Sequence, residues 1–278
     1  MIHIRGIDLC AQAFGNSTHP PLLLIMGTAA SMLWWDARFC TMLADGGRFV
    51  IRYDHRDTGR STTCEPGKPD YDADDLVKDA VAVLDAFGVE SAHLVGVSAG
   101  GALAQVMALD FPTRTRSLTL ISTSPAVGGG SSGTLPPPEP AVGQFLKTAP
   151  PNYADLTSVV EYRVAYARVL AGKHRDFPEA EVQRLVRHDV DRARNPASAT
   201  NHDLLSQSER PDRKLSSLAT PTLVIHGEAD PLFPLAHGEA LASEIPHARL
   251  VVLPRAGHGV EHADWSRIAS LIHEHSST

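Results

Sequence analysis

Three residue types that together can transfer an acyl group stand in turn-like settings in this chain of 278 residues. Ser98 lies in Gly96-Val97-Ser98-Ala99-Gly100, Asp230 in His226-Gly227-Glu228-Ala229-Asp230-Pro231, and His258 in Pro254-Arg255-Ala256-Gly257-His258-Gly259. A serine hydroxyl is a weak nucleophile until a neighbouring imidazole takes its proton, and that imidazole needs an anion to fix its tautomer and stabilise its charged form. Ser98, His258 and Asp230 can fill these three roles. The oxyanion that forms when a serine attacks a carbonyl needs donors aimed at it. The backbone N–H of Ala99, next after the serine, and that of Thr28, in the small-residue loop Gly27-Thr28-Ala29-Ala30-Ser31, are the candidates.

Each partner has a rival. Glu228 is a second carboxylate in the same turn, and Asp230 before Pro231 is also ordinary turn chemistry. His226 precedes that turn, while His262, His273 and His275 lie in or after a C-terminal helical pattern. His258-Gly259-Val260-Glu261-His262 fits the H-x-x-E-H arrangement of zinc proteases, which needs both histidines on one helix face. Gly257 and Gly259 oppose a helix start there, so no metal is expected. Asp54 and Asp57, in Asp54-His55-Arg56-Asp57-Thr58-Gly59-Arg60-Ser61-Thr62, can be imagined as a paired acid and base. The turn-forming residues around them favour an ion-paired loop that braces the neighbouring turn.

These residues need a sheet to hold them. An apolar run of strand character, Ala92-His93-Leu94-Val95-Gly96-Val97, leads into Ser98, and a helical pattern through Leu103, Val106, Met107 and Leu109 leaves it. The glycines two residues to either side of Ser98 suit a turn so tight that a Cβ would collide. The new helix would point its free N–H groups and positive dipole end at an anion forming there. Leu22-Leu23-Leu24-Ile25-Met26 is a continuous apolar run, as expected of a strand buried on both faces. Further strands are expected at residues 48–53, 117–122, 221–227 and 248–253, and helices at 37–43 and 72–87. Residues 2–14 read as a short first strand or hairpin. Alternating strands and helices specify a mostly parallel, doubly wound sheet. Asp230 and His258 then follow strand ends, as Ser98 does, and such ends share the edge where ligands bind.

The composition changes at Ser124. From there to Pro140 the chain is rich in Pro, Gly and Ser, with Gly128-Gly129-Gly130-Ser131-Ser132-Gly133 as a flexible half and Pro136-Pro137-Pro138 as a stiff one. Helical segments near 153–171 and 178–194 follow without a convincing strand. The expected division is a core of residues 1–123 and 212–278, with residues 124–211 forming a linker and a helical cap. Trp34 and Trp35 read as packing residues close to the pocket.

With 43% hydrophobic and 21% charged residues the chain is globular, and a net charge of −7 without a Lys/Arg cluster argues against nucleic acid. No apolar run approaches membrane-spanning length, and no signal peptide is visible. Three widely spaced cysteines, Cys10, Cys40 and Cys64, suggest reduced thiols and a cytoplasmic setting. The expected partner is a small-molecule ester, with no cofactor.

The strand–Gly-Val-Ser-Ala-Gly–helix element followed by Asp230 and His258, in that order, resembles the α/β-hydrolase superfamily across nearly the whole chain. Within it, residues 22–31, 51–62 and 80–85 look like the aclacinomycin methylesterase group of polyketide-tailoring esterases, and serine esterases that inactivate macrolide antibiotics look similar. The resemblance implies an α/β-hydrolase fold with a cap and a serine carboxylic-ester hydrolase acting on a bulky polyketide-type ester. Many relatives carry His-Gly before the oxyanion loop; this chain has Met26-Gly27-Thr28, which keeps the backbone donor and loses the histidine. A serine nucleophile disfavours the haloalkane dehalogenases and epoxide hydrolases, which use aspartate. Between substrates, macrolactone ring opening is the preferred expectation, because the Gly/Ser linker would let the cap lift over a bulky ring. An anthracycline methyl ester is the alternative. A cofactor-free perhydrolase, a C–C bond hydrolase and a noncatalytic receptor of the same fold also remain.

Overall fold

The computed structural model of the protein describes residues 1–127, 135–206 and 212–277. The Gly/Ser half of the linker and the expected boundary at residue 211 lie outside the described residues. A small antiparallel hairpin, β1 (Ile2–Ile4) and β2 (Ile7–Leu9), precedes β3 (Ala11–Phe14), β4 (Pro21–Ile25), α1 (Ala37–Asp45) and β5 (Phe49–Tyr53). Then come α2 (Ala73–Ala86), β6 (Ala92–Val97), α3 (Ala99–Asp110) and β7 (Thr115–Ile121). Three helices follow before the next strand: α4 (Pro140–Phe145), α5 (Leu156–Leu170) and α6 (Glu179–Arg192). The chain closes with β8 (Thr222–Gly227), α7 (Ala236–Glu244), β9 (Arg249–Leu253) and α8 (Trp265–His275).

The seven strands of the main sheet run β3-β5-β4-β6-β7-β8-β9, with every neighbouring pair parallel except β3 against β5. The expected single first element is thus two things, a separate hairpin and an antiparallel edge strand. Side chains that alternate along a strand sort to opposite faces. Leu23 and Ile25 of β4 and Ile51 of β5 pack with α2, α3 and α7, whereas Leu22, Leu24 and Val50 pack with α1 and α8. Both faces are covered, and the apolar runs β4, β6 and β8 are buried throughout or nearly so.

Local chemistry sets the element ends. Helix α2 begins in a capping box, with the Asp72 carboxylate accepting the N–H of Asp75 and the Asp75 side chain accepting that of Asp72. Helix α4 was not foreseen. It starts at Pro140, where a missing N–H costs nothing and the fixed φ suits a first turn, so the Pro-rich stretch ends in a helix. The segment of α4 to α6 has its own small core of Val159, Val160, Val164, Val186 and Val190, against which Trp34 packs. Trp35 is buried on the sheet side, stacked at 6.1 Å on Phe39.

At the β6–α3 turn a Cβ on Gly96 would fall on the carbonyl oxygen of Gly100, and one on Gly100 would fall on that of Ile25 at the end of β4. Gly100→Ala is therefore expected to lower stability by about 1–3 kcal/mol in urea denaturation, because the obstructing atoms are backbone and have no rotamer to give.

Candidate active site

Ser98 sits on the turn between β6 and α3 with φ 54° and ψ −126°, a conformation that costs a non-glycine residue strain and persists where surroundings over-determine it. They do so here through backbone groups. The Ser98 N–H donates to Ile121 at 3.0 Å, and its carbonyl accepts from Gly101 N–H at 2.9 Å and from the Thr123 hydroxyl at 2.7 Å. The Ser98 hydroxyl faces a cavity of about 1850 Å³ that His258 also lines. Among the described residues no hydrogen bond yet joins Ser98 Oγ to His258, a contact that commonly tightens only with substrate.

Asp230 and His258 stand in the turns after β8 and β9. Nδ1 of His258 is 2.8 Å from Asp230 Oδ2, which leaves Nε2 for the serine side. The other carboxylate oxygen accepts the N–H groups of Leu232 and Phe233, both at 2.9 Å. Burial works to raise the Asp230 carboxyl, but the His258 partner and the Phe233 N–H outweigh it and hold the group below its ordinary value. Asp230 is an anion. The loop of His258 is itself held by the segment between β7 and β8, since the His258 N–H donates to Leu170 at the end of α5 at 2.9 Å.

The rivals go elsewhere. Glu228 accepts the Arg255 N–H at 2.9 Å and so ties the turn after β8 to the turn after β9. His226 lies buried behind Asp230, with Nε2 2.7 Å from the Phe233 carbonyl. Burial lowers its pKa, so its 3.7 Å approach to Asp230 is that of a neutral ring. His275 bonds the Leu118 carbonyl at 2.9 Å, and His273 lies against Gly46. His258 and His262 do not share a helix face: a 3-10 turn begins only at His262 and α8 at Trp265. Glu261 between them is taken by Arg175 at 3.0 Å and by the Gly257 N–H at 2.9 Å.

The candidate oxyanion donors face the same cavity. Both Thr28 and Ala99 line it, and among the described residues neither N–H has a hydrogen-bond acceptor. A Cβ on Gly27 would lie 3.0 Å from Ser98 Cβ, so the loop after β4 runs as close to the serine as backbone can.

The Asp54 loop braces more than its own turn. Asp54 accepts the Met32 N–H at 2.9 Å and the Arg60 N–H at 3.0 Å, and also pairs with Arg192 of α6 at 2.6 Å. Asp57 accepts from the Tyr71 hydroxyl and the Asn201 amide, each at 2.8 Å. These carboxylates are occupied and buried, which leaves no free acid–base pair. Asp189 of α6 pairs with Arg163 at 3.1 Å and accepts from Ser31 and Trp34. Sequence patterns did not point to Arg192 or Asp189, whose partners are far along the chain.

A mostly parallel sheet with a serine on a strand–helix turn and a His–Asp pair on two later strand ends is the architecture of a serine hydrolase. Residues 20–260 match the family model described as alpha/beta hydrolase fold, and the chain belongs to that family. It is 33% identical, over 99% of its length and 97% of the relative's, to a rhodomycin D methylesterase, DauP, of Streptomyces sp. (strain C5). It is 32% identical, over 96% and 92%, to a 2-hydroxymuconate semialdehyde hydrolase of Pseudomonas sp. (strain CF600). In fold it resembles the crystal structure of an esterase, RhEst1, from Rhodococcus sp. ECU1013, with a TM-score of 0.78 at 24% identity over 100% of this chain and 97% of that one. The protein is a hydrolase of the serine esterase kind. Among the described residues no helix is long and apolar enough to cross a membrane.

The two carboxylates of the β8 turn are separable by experiment. Asp230→Asn is expected to lower kcat on a p-nitrophenyl ester by about 10⁴-fold, since the imidazole loses its tautomer and its counter-charge, whereas Glu228→Gln stays near wild type.

Proposed function

We propose that the protein removes the methyl group from a bulky carboxylic methyl ester of the anthracycline type. The observation that carries this is the likeness to the rhodomycin D methylesterase over nearly the full length of both chains. It favours the methyl ester over the macrolactone preferred from sequence. The argument for a macrolactone rested on a lifting cap, and the hinge invoked for it, residues 128–133, is outside the described residues. The cavity agrees with a large polycyclic substrate. Its volume of about 1850 Å³ exceeds that of common small-molecule pockets, and Phe145, Tyr162, Tyr166 and Phe177 from the cap segment give it an aromatic wall.

In this reading Ser98 Oγ gives its proton to His258 Nε2 and attacks the ester carbonyl, while Asp230 stabilises the imidazolium. The carbonyl oxygen becomes an oxyanion held by the Thr28 and Ala99 N–H groups. Collapse expels the methoxy group, which takes the proton from His258 and leaves as methanol. Water then gives a proton to His258 and attacks the acyl-serine; the second tetrahedral oxyanion collapses, the proton returns to Ser98, and the carboxylic acid departs.

Two outcomes test the proposal. Incubation with an anthracycline methyl ester is expected to give methanol and a product lighter by one CH₂, and Ser98→Ala to reduce the rate by at least about 10³-fold. An intact anthracycline beside an opened 16-membered macrolactone, or beside cleavage of 2-hydroxymuconate semialdehyde, would overturn it. The second outcome concerns pH. Only a neutral imidazole can accept the serine proton, so kcat/KM is expected to fall on acidification. Asp230, held below the ordinary carboxylate range, stays ionised through that loss. A kcat/KM that holds or rises on acidification would contradict the assignment.

A further inference from the structure

The loop that carries the Thr28 N–H is tied on both sides by histidines that the reaction does not use. On one side, Nε2 of His55 lies 3.0 Å from the carbonyl oxygen of Met26. A carbonyl only accepts, so the His55 proton is on Nε2. On the other side, His202 sits in the 3-10 turn Ser198–Leu204. Its Nε2 is 2.8 Å from the carbonyl oxygen of Arg56, which places its proton there too, and its bare Nδ1 accepts the Ala29 N–H at 3.1 Å. Met26 is held through its acceptor and Ala29 through its donor, with Gly27 and Thr28 between them.

Three further observations show that the loop depends on these bonds. Ala29 has φ 58°, a left-handed conformation that a residue with a Cβ adopts only when held. A cavity of about 170 Å³ lies against the loop, between Met26, Gly27 and Thr28 on one side and Leu76 and Leu103 on the other. Packing is thus missing on the flank where the histidines stand. The rings are also kept in the required state: burial takes His55 down to about 3, and burial lowers His202 against the pull of the Arg56 carbonyl, Asp57 and Asp203. The rings meet edge to face at 6.0 Å, and Tyr53 packs on His55 at 4.9 Å. Among the described residues His55 Nδ1 is buried without a hydrogen-bond partner, so one nitrogen of that ring is left unsatisfied there while the other holds the loop.

We propose that His55 and His202 are positioning residues that clamp the two sides of the oxyanion loop and so set the direction of the Thr28 N–H. This rests on the reading of Thr28 as an oxyanion donor. Neither ring touches a reacting atom; both act through the backbone they hold.

Side-chain amides can separate the bonds. In His202→Asn the amide oxygen stands where Nδ1 stood and can still accept from Ala29; in His202→Gln the amide nitrogen stands where Nε2 stood and that acceptor is lost. At position 55 the bond that matters is made by Nε2, so His55→Gln keeps the donor to Met26 and His55→Asn loses it. On a p-nitrophenyl ester, His202→Gln and His55→Asn are expected to lower kcat by about 10- to 100-fold with little change in KM. A trifluoromethyl ketone, which mimics the tetrahedral oxyanion, should weaken in parallel. His202→Asn and His55→Gln should each retain several-fold more of kcat than the other amide at the same position. Rates are taken per serine labelled to completion by a fluorophosphonate, so misfolded protein is not counted. If the two histidines only fill space, the shorter Asn is the worse variant at both positions. That uncrossed order, or unchanged kcat in all four, overturns the clamp. Ser98→Ala, with its rate taken per mole of protein that keeps the wild-type urea transition, separates the two readings: if it is inactive, an uncrossed order refutes the clamp alone, whereas retained turnover refutes the serine mechanism and the clamp with it.

Discussion

Where β6 turns into α3, three stretches of backbone meet at distances that exclude any side chain. Gly96 lies under Gly100, Gly100 lies against the last carbonyl of β4, and Gly27 lies against Ser98. Because β4 and β6 are hydrogen-bonded neighbours in register, with Ile25 opposite Gly96, the loop that leaves β4 is delivered to the serine by the sheet itself. The nucleophile, the first N–H groups of α3 and the Thr28 loop are therefore parts of one contact. A change in the spacing of two strands would move all of them together, which makes this contact the constraint on which the site depends.

The rest of the site is arranged by burying charge under supervision. Asp230 is almost wholly removed from water, and such a carboxylate is tolerable only when its oxygens are occupied. Two backbone N–H groups and one imidazole occupy them, and the same three contacts aim the imidazole. Asp54 repeats the arrangement against α6, with two backbone N–H groups and Arg192. In both places the partners that offset desolvation also set geometry. Removing a partner leaves a buried charge exposed to an apolar medium, so these positions tolerate substitution less well than their distance from the serine suggests.

What could be read from the residues alone was whatever is encoded within a few positions. The strand–turn–helix around Ser98, the acidic turn before Pro231 and the Gly-flanked His258 each announce themselves locally, and the capping residues of α2 do the same. The apolar runs gave the parallel sheet for the same reason: burial on both faces leaves a continuous hydrophobic stretch. Long-range features left no such mark. His202 reaches Ala29 across 173 residues and Arg192 reaches Asp54 across 138, and nothing near either residue in the chain signals its partner. The antiparallel placement of β3 was hidden because a short edge strand has too few positions to show a period. Helix α4 was hidden behind prolines, which break a helix in its interior and start one at its first turn.

The same long-range contacts bear on how a large substrate reaches the serine. Helices α5 and α6 and the loop between them are joined to the core through Arg192 to Asp54, Asp189 to Ser31 and Trp34, and, from the loop, Arg175 to Glu261 and Asp264. More directly, the end of α5 accepts the N–H of His258, and His174 accepts from the Arg255 side chain. A rigid lift of these helices would pull on the turn that carries the imidazole as it broke the buried Arg192–Asp54 pair and the partly buried pairs of Arg175. Entry through rotamer changes of the aromatic wall leaves those bonds intact and keeps His258 seated. The Phe145 ring rests on Tyr162 at 4.9 Å and on Tyr166 at 5.1 Å, and among the described residues these three side chains make no hydrogen bonds, so they can move at small cost. Adaptability thus resides in apolar contacts, and registration of the reacting groups in the polar ones.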